Sequence, residues 1–331
     1  MFDKGILKQK SFYFPVICVG NLKTGGTGKS PHVFYLANLL RSSHKITILS
    51  RGYGRSTKGF RFVNHTDNSI DVGDEPLQYA KFLPDVIVAV SEKRIEGIEA
   101  IIQKEGTPDV VILDDAFQHR YVKAGLNILL TEFNDLYVDD KLLPLGRLRE
   151  PARSSLRAQC IIVTKCPASI SETEMASIKF RLKLNSLQKI FFSFIKYNEL
   201  LTTDNERNIT LEELKDKNIL LLTGIANPAP LKAFLIDYCL AIDELIFPDH
   251  HSYSVADIVH LRKKFDMFAM SFENTPTYII TTRKDAMRLQ RPELKMLTKD
   301  LPIAIIDIDI EFVGNQSNEF NQFIQHYVES N

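Results

Sequence analysis

The 331-residue chain has no excess charge of either sign: Lys plus Arg and Asp plus Glu number 41 each. No overall field therefore draws it to nucleic acid, and only a local basic patch is compatible with this balance. Cysteine is scarce too. Cys18, Cys160, Cys166 and Cys239 are scattered, and two of them fall inside apolar strand-like runs. That pattern argues against a zinc cluster or a disulfide framework and for buried thiols in a reducing cytoplasm. No apolar stretch approaches the length that crosses a bilayer, and residues 1–12 lack the apolar core of a signal peptide. Low-complexity tracts are missing as well. With 44% hydrophobic and 25% charged residues, the chain reads as a globular protein long enough for two domains, or for one large α/β domain with additions.

What is present begins with Val16-Ile17-Cys18-Val19-Gly20-Asn21 running into Thr24-Gly25-Gly26-Thr27-Gly28-Lys29-Ser30. A buried strand, a glycine-rich turn and a following helix make a phosphate cradle, because glycines let successive N–H groups face one anion and the helix adds its positive end. Lys23, Thr24, Gly25, Gly26, Thr27, Gly28, Lys29 and Ser30 are the expected nucleotide contacts, with Lys29 as point charge and Ser30 as Mg²⁺ ligand. The strict pattern asks for glycine where Lys23 stands. Pro31 nonetheless suits a first helical turn, and apolar residues recur at helical spacing after it.

Strand-like runs at 15–20, 45–50, 86–90 and 109–114 alternate with helical patterns at 31–42, 74–83 and 92–104, and further strands are expected at 126–131 and 159–164. Such alternation predicts a parallel sheet with helices on both faces and ligands at the carboxyl ends of its strands. Residues 190–195 form another strand candidate, and the polar stretch 201–208 looks like a boundary. A second alternation follows, with strands at 219–223, 242–247, 277–281 and 303–308 and helices at 229–240 and 254–266. The predicted fold is thus a P-loop NTPase-like α/β core, residues 1–195, plus a smaller α/β domain, residues 196–331, that closes over the active site. A terminal helix near 317–328 packs on either domain.

Val110-Val111-Ile112-Leu113-Asp114-Asp115 has the form of a strand that delivers a carboxylate to Mg²⁺. In an extended segment neighbouring side chains point opposite ways, so Asp114 and Asp115 are not expected to hold the metal identically. Ala116-Phe117-Gln118-His119-Arg120 places an amide, an imidazole and a guanidinium on the next loop. His119 is equally compatible with a structural role. Asp74 in Gly73-Asp74-Glu75-Pro76 suits either a proton-accepting base or a helix cap. Arg51 lies on the glycine loop Ser50-Arg51-Gly52-Tyr53-Gly54-Arg55, and Arg147, Arg149 and Arg153 surround Glu150; each group fits an anionic ligand or plain solvation. Phe247-Pro248-Asp249-His250-His251 ends a strand, beside Ser252 or Ser254 as a helix cap. Thr281-Thr282-Arg283-Lys284-Asp285 has the composition of a base-reading loop.

Taken in order from about residue 3 to about 290, Val19-Gly20-Asn21-Leu22, Gly25-Gly26-Thr27-Gly28-Lys29, Leu49-Ser50-Arg51-Gly52-Tyr53, Gly73-Asp74-Glu75-Pro76, Asp114-Asp115-Ala116-Phe117-Gln118-His119-Arg120, Leu148-Arg149-Glu150-Pro151 and Phe247-Pro248-Asp249-His250 strongly resemble the tetraacyldisaccharide 4′-kinase (lipid A 4′-kinase) family. The resemblance implies transfer of the ATP γ-phosphoryl group to the 4′-hydroxyl of tetraacyldisaccharide 1-phosphate, giving lipid IVA, with ATP and Mg²⁺ as cofactors. It implies Asp74 as base assisted by His250, Lys29 on the β/γ-phosphates, and Ser30, Asp115 and Glu150 at Mg²⁺. Asp114, Gln118, His119, Arg149 and Arg51 become supporting groups. The implied location is the cytoplasmic face of a Gram-negative inner membrane, with the lipid A precursor and the membrane surface as partners, and no nucleic acid or obligate protein partner. Members usually open with an apolar amphipathic segment. Either that segment lies outside this chain, or Lys4, Lys8 and Lys10 with a surface apolar patch give a weaker attachment. Ala116 and Arg147 depart from the usual residues at their positions. The alternative is a nucleotide-switch ATPase, whose signature lysine acts across a dimer from near the cradle start, one residue beyond Lys23.

Overall fold

Valine- and isoleucine-rich runs form strands buried on both faces, and amphipathic stretches between them form the covering helices. The computed structural model describes residues 2, 7–203, 208–249, 251–272 and 275–331. It divides into a larger unit, Met1–Lys196 with Asp309–Asn331, and a smaller one, Tyr197–Ile308.

The larger unit runs β1 (Val16–Asn21), α1 (Lys29–Leu40), β2 (Ile46–Ser50), β3 (Arg61–Phe62), α2 (Ser69–Val72), α3 (Asp74–Phe82), β4 (Ile87–Val90), α4 (Arg94–Glu105), β5 (Val110–Asp114), β6 (Leu126–Glu132), β7 (Cys160–Thr164), α5 (Glu172–Leu182) and β8 (Lys189–Tyr197). The smaller unit follows with β9 (Leu200–Thr203), β10 (Asn208–Thr210), α6 (Leu211–Leu214), β11 (Asn218–Thr223), α7 (Ala229–Ile236), β12 (Ala241–Ile246), α8 (Val255–Met270), β13 (Thr277–Thr282), α9 (Arg283–Leu289), α10 (Pro292–Thr298) and β14 (Ile303–Ile306). The chain then returns to the larger unit as β15 (Ile308–Phe312) and α11 (Gln316–Glu329).

The larger sheet has the order β15-β8-β7-β6-β1-β5-β2-β4-β3, with β1 central. Strand β1 pairs in parallel with β5, Val19 opposite Asp114, and with β6 on its other side. Alternation along β1 splits its side chains between two cores: Ile17 and Val19 pack with Val33, Leu36 and Leu40 of α1, while Val16 and Cys18 pack with Ile98 and Ile101 of α4. Helices therefore cover both faces, as the sequence pattern predicts. The smaller sheet, β10-β9-β14-β13-β11-β12, is parallel through β14, β13, β11 and β12 and carries its own cores on α7 and α8.

The apolar run expected as one strand at 303–308 instead divides at Asp307. Its backbone carbonyl accepts from Asn198 N–H (3.0 Å), its side chain accepts from Ile308 N–H (2.9 Å) and pairs with Arg283. The half before it joins the smaller sheet, and the half after it joins the larger one as the edge strand β15. Helix α11 follows and buries Phe320, Ile324 and Val328 in the α1 core. The terminal residues 309–331 thus belong to the larger unit. The helix expected at 229–240 stops at Ile236, where Tyr238 N–H bonds Leu235 O (3.0 Å) in a tightened last turn. Ser254 is the cap of α8, receiving Asp257 N–H and sharing that carboxylate with His251 (3.0 Å). Thr282 likewise caps α9, and Asp285 is buried in bonds to Gly224 N–H (3.0 Å) and Arg288 (2.9 Å), so this segment serves the internal structure of the smaller unit.

Candidate active site

The carboxyl ends of β1 and β5 bring the site together because the two strands are neighbours in register. Gly20 makes this approach possible: a Cβ there would stand 2.7 Å from Phe117 Cβ and 2.9 Å from Phe117 N. Beyond β1 the chain turns through Gly25 (φ 118°) and Gly28 (φ 82°), left-handed conformations that only glycine adopts without strain. Gly28 is the cap of α1, and no side chain occupies the cap site, so the helix start is open to a ligand. Asn21 ties the turn from inside, donating to Thr27 Oγ1 (2.8 Å), while Thr164 Oγ1 donates to the Thr27 carbonyl (3.0 Å). His32 also bonds the Gly28 carbonyl through Nδ1 (2.7 Å) and Ser193 Oγ through Nε2 (3.1 Å), and burial lowers its pKa to about 4.

Asp115 adopts φ 44°, which swings it out of the strand direction of Asp114. It meets Lys29 at 3.7 Å and Arg149 at 3.0 Å. Burial by itself would raise its carboxyl, but Lys29 and Arg149 outweigh burial and hold it below the ordinary carboxylate range. Arg149 also bonds the Asn21 side chain and its carbonyl (3.1 Å), and Gln118 Nε2 donates to that same carbonyl (2.8 Å). Lys29, Asp115, Arg149, Gln118 and Asn21 therefore form one network around the glycine turn.

Asp114 faces the other way and is fully buried. Burial, then the charges of Glu75 and Asp115, push its pKa up to about 7, against Lys29 and the hydroxyl of Ser50, which donates to Oδ2 (3.2 Å). Its Oδ1 is buried with no hydrogen-bond partner. Tyr79 stands beside Asp114 and Ser30, and burial together with Asp114 and Glu75 raises its phenol well above the usual value. An orphaned carboxylate oxygen in a field of neighbouring acids, with the hard oxygens of Ser30 and Asp115 nearby, fits a divalent cation such as Mg²⁺. Among the described residues no three His, Cys, Asp or Glu side chains form a closed metal cage.

Asp74 is the first residue of α3, not its cap: the cap is Gly73 (φ 94°), with no side-chain capping bond. The Gly52 loop seats against this turn so closely that a Cβ on Gly73 would lie 3.2 Å from Tyr53 O, and one on Gly52 would lie 2.9 Å from Val72 O. Two glycine contacts thus seat the start of α3, which carries Asp74, against the loop after β2. His250 lies outside the described residues, as does Lys4.

Three candidate residues have partners of their own. Lys23, expected at the nucleotide, is 4% exposed and turned inward to Asp135 and to Asp140 (2.7 Å), so it neither reaches a phosphate nor extends toward a second copy. Replacing it should lower the unfolding midpoint and leave ATP affinity nearly unchanged, a pair of readouts available from thermal denaturation and nucleotide titration. Glu150, expected at Mg²⁺, receives both guanidinium nitrogens of Arg157 (2.8 and 3.0 Å), which also covers the Phe117 ring. His119 accepts from Arg94 N–H through Nε2 (3.3 Å), and burial, Arg94 and Arg51 lower its pKa to about 4, so it is neutral at pH 7.

Ser50, Glu75, Tyr79 and Arg94 were not expected. Arg94, 2% exposed, donates to Ser91 O (2.6 Å) and the Asp114 carbonyl (3.4 Å), bracing the end of β5. No local pattern signals that role. Glu75 and Ser50, however, lie inside motifs noticed for their neighbours.

A central parallel strand that feeds a glycine turn into a helix start, beside a strand ending in paired acids, defines an α/β phosphate-binding protein of the P-loop NTPase type. Over residues 1–329 the chain matches the family model LpxK, tetraacyldisaccharide-1-P 4'-kinase. It is 44% identical to tetraacyldisaccharide 4'-kinase of Bacteroides thetaiotaomicron, covering 100% of this chain and 89% of the relative, and 42% identical to that of Flavobacterium johnsoniae, covering 100% and 92%. A crystal structure of the "apo" form of LpxK from Aquifex aeolicus in complex with ATP superposes with a TM-score of 0.73 at 29% identity, over 99% of this chain and 92% of the other. The chain belongs to the tetraacyldisaccharide-1-P 4'-kinase family.

Proposed function

We propose that this protein transfers the γ-phosphoryl group of ATP to the 4′-hydroxyl of tetraacyldisaccharide 1-phosphate, giving lipid IVA, as a peripheral enzyme on the cytoplasmic face of a Gram-negative inner membrane. The observation that supports it most is the union of Lys29, Asp115 and Arg149 around an open helix start on neighbouring parallel strands, in a chain that matches the kinase family over nearly its whole length. No helix among the described residues is long and apolar enough to cross a membrane.

The turn Gly25–Ser30 presents backbone N–H groups to the phosphate chain, and Lys29 moves from Asp115 toward the β- and γ-phosphates as they bind. Mg²⁺, when bound, would supply charge neutralisation at the transferring phosphoryl group. Ser30, Asp115 and Glu150 would be its ligands, with Asp114 in support. Gln118 and Arg149 fix the loop geometry through the Asn21 carbonyl, while neutral His119 and the exposed Arg51 complete the wall. Asp74 accepts the proton of the 4′-hydroxyl, and His250 assists it.

Transfer of labelled γ-phosphate from ATP to detergent-dispersed tetraacyldisaccharide 1-phosphate tests this. Labelled lipid should form with the native chain and fall by roughly 10²-fold or more with Lys29→Ala, a loss in the range of a removed transition-state charge contact. Native protein that binds ATP yet forms no lipid product would overturn the proposal.

A further inference from the structure

Between β6 and β7 the chain closes a tight loop at residues 141–147. Leu148 N–H donates to Lys141 O (2.9 Å), Leu143 N–H to Leu148 O (3.0 Å), and the amides of Leu145 and Gly146 both donate to Leu142 O (3.0 and 3.1 Å). Gly146 permits this closure, since a Cβ would collide with Asp140 Oδ1 and the Lys141 carbonyl. Asp140 pins the loop from within. It pairs with buried Lys23 and accepts from the amides of Lys141 (2.7 Å) and Arg147 (3.2 Å), and these contacts hold its carboxyl well below the usual range.

The loop's polar backbone is thus turned onto itself, and its outer surface is apolar: Leu142, Leu143 and Leu145 are 44%, 55% and 84% exposed. Exposed Lys141 borders this tip, as does the 58%-exposed side chain of Arg147, whose guanidinium is paired with Asp135 (2.7 Å) and Asp140 (3.4 Å). An apolar tip beside exposed Lys141 complements an anionic lipid surface, with acyl chains receiving the leucines and a phosphate headgroup facing the lysine.

Position decides between a lipid and a protein as occupant. Leu145 is two residues, at most about 7 Å of chain, from Arg147, whose carbonyl accepts the N–H of Thr24 in the glycine turn (2.9 Å). The segment leaving the loop bonds Leu22 O through Arg149 N–H (2.7 Å) and places the Arg149 guanidinium on Asp115. An acylated acceptor has to leave its chains in lipid while its sugar reaches the nucleotide, and this tip lies beside the glycine turn where that demand arises.

We propose that residues 141–147 form a lipid-contact element that inserts Leu143 and Leu145 into an anionic lipid surface and so holds the phosphate loop against it. The proposal draws on the kinase reading for its purpose, but its test does not. The chain contains no tryptophan, so Leu145→Trp in the full chain carries a single reporter. With vesicles of phosphatidylcholine plus phosphatidylglycerol and no acceptor lipid, its emission should shift to the blue and be quenched by lipids brominated on their acyl chains. Leu143→Ser/Leu145→Ser should weaken vesicle binding by roughly tenfold per leucine, with the unfolding midpoint and ATP affinity unchanged.

Emission unmoved by vesicles, or a serine variant that binds them like the native chain, would overturn the proposal. So would a native dimer, seen by light scattering, that the serine variant disperses, because the leucines would then cover a second copy. Failure of the kinase reading is read separately: vesicle contact persists, yet native protein yields no phosphorylated lipid.

Discussion

Asp74→Asn lowers the turnover of phosphoryl transfer by about 10²- to 10⁴-fold, the usual contribution of a positioned general base, and leaves ATP affinity close to native. The substitution keeps the shape of the side chain and removes its basicity. Asp74 follows the cap residue Gly73, and the Gly52 loop packs on that turn, so the backbone that carries Asp74 is held by contacts that asparagine does not disturb. Loss of carboxylate charge in the first turn of α3 costs only about 0.3–1 kcal/mol. A folded Asp74→Asn protein that turns over at the native rate would remove Asp74 from the chemistry; steady-state kinetics with a circular dichroism control decides.

Asp114→Asn should have the largest effect on stability, and its sign is opposite to that of most active-site changes. In the unfolded chain Asp114 loses its proton near 3.8, whereas in the folded, metal-free protein it does so at about 7. Between those values the native state holds the extra proton. The contribution of Asp114 to native stability therefore falls as pH rises from about 4 to about 7 and is flat above, by an amount on the order of 4 kcal/mol at most. Asparagine carries no charge to bury, so the variant should lose less stability over that window and unfold at higher temperature than the native chain at pH 8 in EDTA. Phosphoryl transfer should be lost with it. Equal pH dependence of the two unfolding midpoints would mean that burial does not hold Asp114 protonated.

These two acids show how unevenly the site is written along the chain. Lys29 and the glycine turn could be read locally, because the residue types that cradle a phosphate are contiguous and the strand and helix flanking them follow directly. Asp114 and Asp115 were also visible as a pair, and the structure gives them different surroundings: Asp114 is fully buried, whereas Asp115 meets Lys29 and Arg149. Lys23 and Glu150 were expected at the ligands because they sit inside functional motifs. That each is ion-paired, with Asp135 and Asp140 for one and Arg157 for the other, was not legible, because those partners lie at positions that no spacing rule connects to them. Arg94 and Tyr79 gave no signal, since a buried arginine or tyrosine is recognisable only once something is packed around it.

The sequence by itself determined the strands, the helices and the phosphate-binding turn, because period, glycine placement and strand-end acids are local properties that need no partner. It also carried the family membership, since the motifs keep their order along the chain. Tertiary structure alone decided which strands became neighbours, and hence that β5 delivers its acids beside the turn after β1. It also decided that the run through Asp307 divides between two sheets and that α11 packs on the α1 core. Those outcomes depend on burial and charge pairing between segments far apart in sequence. The protonation of Asp114 and the inward turn of Lys23 follow from the same non-local fields.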